Sequence, residues 1–233
     1  EILGDERTAL VFAYLENVEE FVEELDYDDV ADIIEQMDAD DAVEALEDLD
    51  DERRSEIIDL IEDAEIKKDI KLIDSYEDDQ FGSRMSTNFI CVKRTQTIKE
   101  TMKILVSEAA ENDNIFTIFA VEEDNSFYGA IDLKELIIAR SNMELERLIC
   151  NTFPFVYDTD IISENIERLR GYSENMIPVI SSANNALLGV ITSNDIIELV
   201  DKEPILNKEM LWLGNEIANR TLCSKISAYQ VML

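Results

Sequence analysis

The chain has 233 residues, 46% of them hydrophobic, with 54 acidic and 20 basic side chains and a formal net charge of −34. That hydrophobic share is ordinary for a folded protein, so the acidity does not mark a disordered chain, and the charge argues against a nucleic-acid partner, because phosphate contacts draw on Lys and Arg. With no histidine at all, the chain lacks the commonest general base and transition-metal ligand, which excludes a histidine-dependent triad and the usual kind of zinc hydrolase.

The charge is concentrated at the start. Residues 1–80 hold 32 acidic and 6 basic side chains, a net of −26, which leaves −8 for the rest. Like charge at that density opposes compaction unless a basic partner or a divalent cation neutralises it. Carboxylates suit hard cations such as Mg²⁺ and Ca²⁺. The opening Glu1-Ile-Leu-Gly-Asp5 has no signal-peptide pattern. No apolar run reaches the roughly 18–20 residues of a membrane span. Phe12–Leu25 reads as an irregular helical unit, and a 12-residue register then sets in at Leu25, Met37 and Leu49. In each unit an apolar residue precedes an aspartate (Asp26, Asp38, Asp50) and an apolar pair follows (Ile33–Ile34, Ala45–Leu46, Ile57–Ile58). The aspartate predicts an N-cap and the acidic first turn suits the helix dipole. Each unit is therefore a turn plus a two-turn helix. Helices this short must stack to persist, as in a helical solenoid.

Near Tyr76 the pattern changes to alternating strands and helices. Strands are predicted at Phe89–Val92, Ile115–Val121 and Tyr128–Ile131, with helices at Thr97–Ala110 and Leu133–Ala139. The scheme then repeats: strands at Phe153–Val156, Met176–Ile180 and Leu187–Ile191, helices at Ser163–Tyr172 and Ser193–Val200. Turns fall at Glu123-Asp-Asn-Ser126 and Ser181–Asn185, and the endings that start at Gly129 and Gly189 match with a shift of 60. Short loops in this order favour compact α/β units. Cys91, Cys150 and Cys223 are odd in number and widely spaced, which points to reduced thiols rather than disulfides or a zinc site.

The segment Ile177-Pro-Val-Ile180 followed by Leu187-Leu-Gly-Val-Ile-Thr-Ser-Asn-Asp-Ile196 resembles the strand–turn–strand–helix ending of a CBS domain. The first copy resembles it more loosely, and the two together resemble a Bateman module. An acidic short-helix superhelix lies upstream. The junction Ser75-Tyr-Glu-Asp-Asp-Gln-Phe-Gly-Ser-Arg-Met85 resembles that of the MgtE family of magnesium channels, over roughly residues 10–203. The resemblance implies an α+β multidomain fold: an all-α superhelix (1–76), two α/β CBS domains (77–147 and 148–203) and a C-terminal helical segment or tail (204–233). It also implies a homodimer formed through the CBS domains, placed on the cytoplasmic side of a membrane. The membrane pore of the same full-length protein would follow this chain. Mg²⁺ bridging the superhelix to the CBS domains would hold a closed state.

Carried over residue by residue, the resemblance implies metal ligands at Asp40, Glu44, Glu164, Glu174, Asp195 and Glu203, and at the carbonyl of Gly171. Asp40 and Glu44 lie one helical turn apart on one face, with Glu44 standing where the family has an aspartate. Each carboxylate also has a plain reading as a solvated charge or a helix cap, and Asp195 in particular fits a cap. CBS pairs often bind ATP or another adenine nucleotide, and Thr192, Asp195 and Glu135 occupy the matching positions. Lys134 and Arg140 are the nearby positive charges in sequence. Nothing resembles an EF-hand loop. After Glu203 the chain departs from the family, with Pro204, Leu206 and Asn207 where an acidic connecting helix is expected.

Two readings result. In the first, the chain is a Mg²⁺-sensing regulatory region of a magnesium transporter. In the second, it is a nucleotide-sensing CBS protein whose acidic repeat binds a protein partner. No Gly-rich phosphate loop, GxSxG or HExxH supports an enzyme.

Overall fold

The computed structural model describes residues 22, 25–47, 49–109, 112, 115–169 and 175–202. Two compact units divide the chain, Glu1–Ile196 and Ile197–Leu233. Every described strand and helix begins in the first of them. Most of Phe12–Leu25, the end of the helix expected at Ser163–Tyr172, and the segment 204–233 lie outside the described residues.

Four short helices come first: α1 (Tyr27–Ile34), α2 (Ala39–Leu46), α3 (Asp51–Leu60) and α4 (Ala64–Asp74). Each follows an aspartate in extended backbone: Asp26, Asp38, Asp50 and Asp63. The first three are the N-caps that the repeat predicts. α4 is a fourth unit hidden from the 12-residue register, because its cap falls one residue late. Asp50 and Asp63 cap with their carboxylates, Asp50 accepting the Arg53 N–H and Asp63 those of Glu65 and Ile66. Asp26 and Asp38 make no such bond.

The helices stack alternately, α1 on α3 and α2 on α4. This buries Val30, Ile34, Ala42, Leu46, Ile57, Ile70 and Ile73, and mutual burial holds helices that could not form singly. The turns are stapled. Glu35 accepts the Glu62 and Asp63 N–H groups at 2.8 and 3.1 Å. Arg54 donates to the carbonyls of Glu47 and Leu49 and to the Asp74 carboxylate.

Two three-stranded sheets come next. The first contains β1 (Ile90–Lys93), β2 (Thr117–Val121) and β3 (Phe127–Asp132), with helices α5 (Ile98–Glu108) and α6 (Leu133–Ile138). The second contains β4 (Val156–Tyr157), β5 (Met176–Ile180) and β6 (Leu187–Thr192), with α7 (Ile162–Leu169) and α8 (Ser193–Lys202). In both, the first strand runs parallel to the second and the second antiparallel to the third. Every residue of β2 and of β5 is buried, as expected for strands covered on both faces. Ile118 and Ile131 pack with α5 and α6 residues Ile98, Leu105 and Leu136. Phe119 and Ala130 pack instead with Met176 and Val190 of the other repeat. One apolar cluster therefore joins the sheets.

The strand expected at Phe153–Val156 is Val156–Tyr157. Pro154 has no N–H to give a ladder, so pairing starts beyond it. The strand expected from Ile115 starts at Thr117, and Thr97 is the N-cap of α5, in a capping box with Glu100.

The repeats exchange backbone. Phe127 N–H donates to Asn185 O at 2.8 Å and Leu187 N–H to Asn125 O at 3.1 Å, so the hairpin tips pair reciprocally. Asn125 and Asn185 both have positive φ, 68° and 58°, a conformation that Asn tolerates better than most residues. Each repeat's leading strap pairs with the other repeat's hairpin: Ser86 with Val190 of β6, and Cys150 with Ala130 of β3. Gly129 and Gly189 make that approach possible. A Cβ on Gly129 would lie 2.6 Å from the Cys150 carbonyl oxygen, and one on Gly189 would lie 2.8 Å from Met85 and from the Ser86 carbonyl oxygen.

Candidate metal centre

The helical repeat rests on the strap of the first α/β repeat. Residues Arg84–Asn88 carry the contacts, and Ser86 at their centre is tied to β6 through Ser86 N–H to Val190 O and Val190 N–H to Ser86 O, at 2.8 and 2.9 Å. The Ser86 hydroxyl donates to Asp40 Oδ1 at 3.2 Å. Asn88 Nδ2 lies 3.4 Å from both oxygens of Asp38. Arg84 faces Glu47 at 3.5 Å, and the Thr87 side chain bonds Asp69 on α4. Four carboxylates thus meet a five-residue strap with one basic side chain.

Asp40 is the half-buried member at the centre of these contacts. Desolvation pushes its carboxyl up to about 7, and the charges of Asp41 and Asp38 push the same way. Its own backbone N–H and the Ser86 hydroxyl oppose the shift. A carboxylate with two like charges beside it is stabilised by a proton or by a positive ion. The donors at hand are oxygens: the Asp40 and Asp38 carboxylates and the Ser86 hydroxyl. That set fits a hard, partly hydrated divalent ion. Among the described residues no three His, Cys, Asp or Glu side chains form a group that could hold a metal ion. Burial likewise raises the Asp69 carboxyl, against Lys68 and Thr87.

The other predicted residues are scattered. Glu44 is exposed on α2, one turn beyond Asp40. Glu164 is exposed in the first turn of α7. Gly171, Glu174 and Glu203 lie outside the described residues. Asp195 and Thr192 meet at the start of α8. Thr192 N–H donates to Asp195 Oδ2 at 2.6 Å, and Asp195 N–H to Thr192 Oγ1 at 3.3 Å. That reciprocal bond is a helix cap. Glu135 sits exposed at the same corner of the first repeat, where Asp132 caps α6. Asp40 reaches β6 through Ser86 and Val190, two residues before Thr192.

Asp38, Ser86 and Asn88 escape the sequence reading. Asp38 reads as an N-cap, and only the structure shows its carboxylate turned from that role towards Asn88. The strap carries a weak signal, a polar run between Met85 and Phe89.

Comparison with known proteins adds a family. The model of the MgtE intracellular N domain matches residues 1–79, and the model of the CBS domain matches residues 146–202, the copy that carries the clearer motif. The magnesium transporter MgtE of Enterococcus faecalis is 27% identical over 128 residues, which are 55% of this chain and 28% of that protein. This chain therefore spans under a third of the length of that relative. The crystal structure of the soluble part of a magnesium transporter superposes with a TM-score of 0.79 at 26% identity, over 86% of this chain and 79% of the other. The cytosolic domain of the Mg²⁺ channel MgtE, solved in complex with ATP, superposes at 0.74 and 22% identity, over 84% of this chain and 81% of that one.

Proposed function

We propose that the chain is the Mg²⁺-sensing regulatory part of a magnesium transporter of the MgtE family, a reading supported by the match of that family's N domain to residues 1–79 and of a CBS domain to residues 146–202. The observation that supports this is Asp40. A half-buried carboxylate held against Ser86, between Asp38 and Asp41 and with its pKa pushed up to about 7, makes the docked helical repeat unfavourable near neutral pH without a cation. A divalent ion supplies positive charge shared between the α2 carboxylates and the CBS strap. Ion binding then shifts a docked–undocked equilibrium by its differential affinity.

The full-length protein would place this chain on the cytoplasmic side of a membrane and continue into a pore. Among the described residues no helix is long and apolar enough to cross a membrane. We propose a homodimer through CBS helices, supported by Ile137 and Ile138, which are 61% and 65% exposed on α6. Glu44, Glu164, Gly171, Glu174, Asp195 and Glu203 remain proposed ligands, and Asp195 would give up part of its cap to serve. An adenine nucleotide at Thr192, Asp195 and Glu135 is the proposed second ligand; a protein of the same fold was solved in complex with ATP.

Small-angle scattering during a Mg²⁺ titration at constant ionic strength tests the reading. The expected outcome is a compaction that saturates in the millimolar range and does not occur with K⁺. A radius indifferent to Mg²⁺ overturns it.

A further inference from the structure

The two repeats differ at one equivalent position. Arg94 N–H donates to Val121 O just past β1, and Asp158 N–H to Ile180 O just past β4. In the first repeat the side chain is basic and serves the surface: Arg94 pairs with Glu122 at 2.9 Å and lies over the Tyr128 ring. In the second it is acidic and 6% exposed. One oxygen of Asp158 accepts the N–H groups of Thr159 and Ser182, both at 2.9 Å. The other accepts the hydroxyl of Tyr76 at 3.1 Å, across 82 residues of sequence.

Tyr76 directly follows Ser75, the C-cap of α4, so it is where the helical repeat ends. Its ring lies flat against Gly82, where a Cβ would come within 2.4 Å of it. From there backbone rungs run to the second repeat: Gly82 N–H to Asp158 O, Phe81 N–H to Asp160 O and Ile162 N–H to Asp79 O. The junction is thus fastened to the second CBS repeat, although it leads in sequence into the first.

We propose that Tyr76 and Asp158 form a fixed pin, on the second CBS repeat, about which the helical repeat turns while its carboxylate contacts to Arg84–Asn88 close and open. The proposal rests on the cation-dependent docking of that repeat. The two attachments differ in chemistry. The strap contacts gather several carboxylates around one arginine, so they weaken when cations are withdrawn. The pin is one buried carboxylate with three hydrogen-bond donors, one of them a neutral phenol. Burial first, and then the Asp158 charge, push the Tyr76 hydroxyl up to about 12, so it stays protonated at physiological pH.

Residue-resolved hydrogen exchange on the full chain, with and without Mg²⁺, tests the pin. In the wild type, the amides of Phe81, Gly82 and Ile162 stay protected after Mg²⁺ is removed. In Tyr76→Phe, which keeps the ring and removes only the hydroxyl, these amides exchange about tenfold faster, the effect of one hydrogen bond to a buried charge. The amides of β5 and β6 do not change. Asp158→Asn keeps an acceptor for both N–H groups and gives a weaker version of the same pattern. Loss of protection in the wild type on removing Mg²⁺, or none in Tyr76→Phe, overturns the pin. A radius of gyration indifferent to Mg²⁺ sinks the cation-dependent docking instead, and the Tyr76→Phe comparison made without Mg²⁺ still decides the pin.

Discussion

Asp38 and Asp40 stand two residues apart at the start of α2, yet one is an exposed cap position and the other a half-buried acid. The difference follows from what the strap places opposite each. For Asp40 the pKa is raised from 3.8 to about 7, so the docked state holds a proton that the undocked state releases. Its contribution to docking is full below about 4, declines as pH rises from 4 to 7, and is flat above 7. Without divalent cations the helical repeat should therefore undock progressively across that window, as read by scattering. Asp40→Asn should flatten the profile and make the Mg²⁺-free chain as compact at pH 7 as the wild type is at pH 4. It should also blunt the Mg²⁺ response, because the amide neither repels Asp38 and Asp41 nor binds the ion well. An Asn variant as pH-dependent as the wild type would remove Asp40 from the site.

The short helices, the strands and the duplicated hairpin were legible in the sequence because each has a local cause. Asp26, Asp38 and Asp50 mark helix starts, and the turns at Asn125 and Asn185 mark hairpins. α4 was hidden by a one-residue slip of register, and the start of β4 by Pro154. The site was harder to read. A metal ligand and a cap are the same residue type in the same place, as at Asp195, and only tertiary packing turns Asp38 from its helix or sets Asp40 against Ser86. The exchanged straps could not be read either, since nothing local in Ser86 or Cys150 says which hairpin each will join. The glycines give the element-scale prediction. Gly129→Ala sets a Cβ against a carbonyl oxygen at 2.6 Å, where backbone must move, and should cost about 1–3 kcal/mol in urea unfolding. Gly189→Ala meets the flexible Met85 side chain as well as the Ser86 carbonyl oxygen. It should cost less in global stability and yet loosen the strap that carries the Asp40 contact. Equal effects of the two on Mg²⁺-dependent compaction would contradict that division.

At the scale of the whole molecule, charge separates the parts. Residues 1–80 carry a net of −26 and the rest −8, so screening should act on the helical repeat far more than on the CBS pair. In Mg²⁺-free buffer, raising KCl should slow proteolytic cleavage within α1–α4 while leaving β5 and β6 as resistant as before; uniform protection would mean that repulsion is not what loosens the repeat. The exchanged straps also set an order of assembly. Ser86 finds its partner at Val190, about a hundred residues later in synthesis, and contacts so distant in sequence form late. While the chain is being made, the helical repeat can stack on itself, but the strap on which it sits has no hairpin to lie against. The acidic repeat therefore emerges from the ribosome before its seat exists, and can settle only after the last strand of the second CBS repeat has been translated.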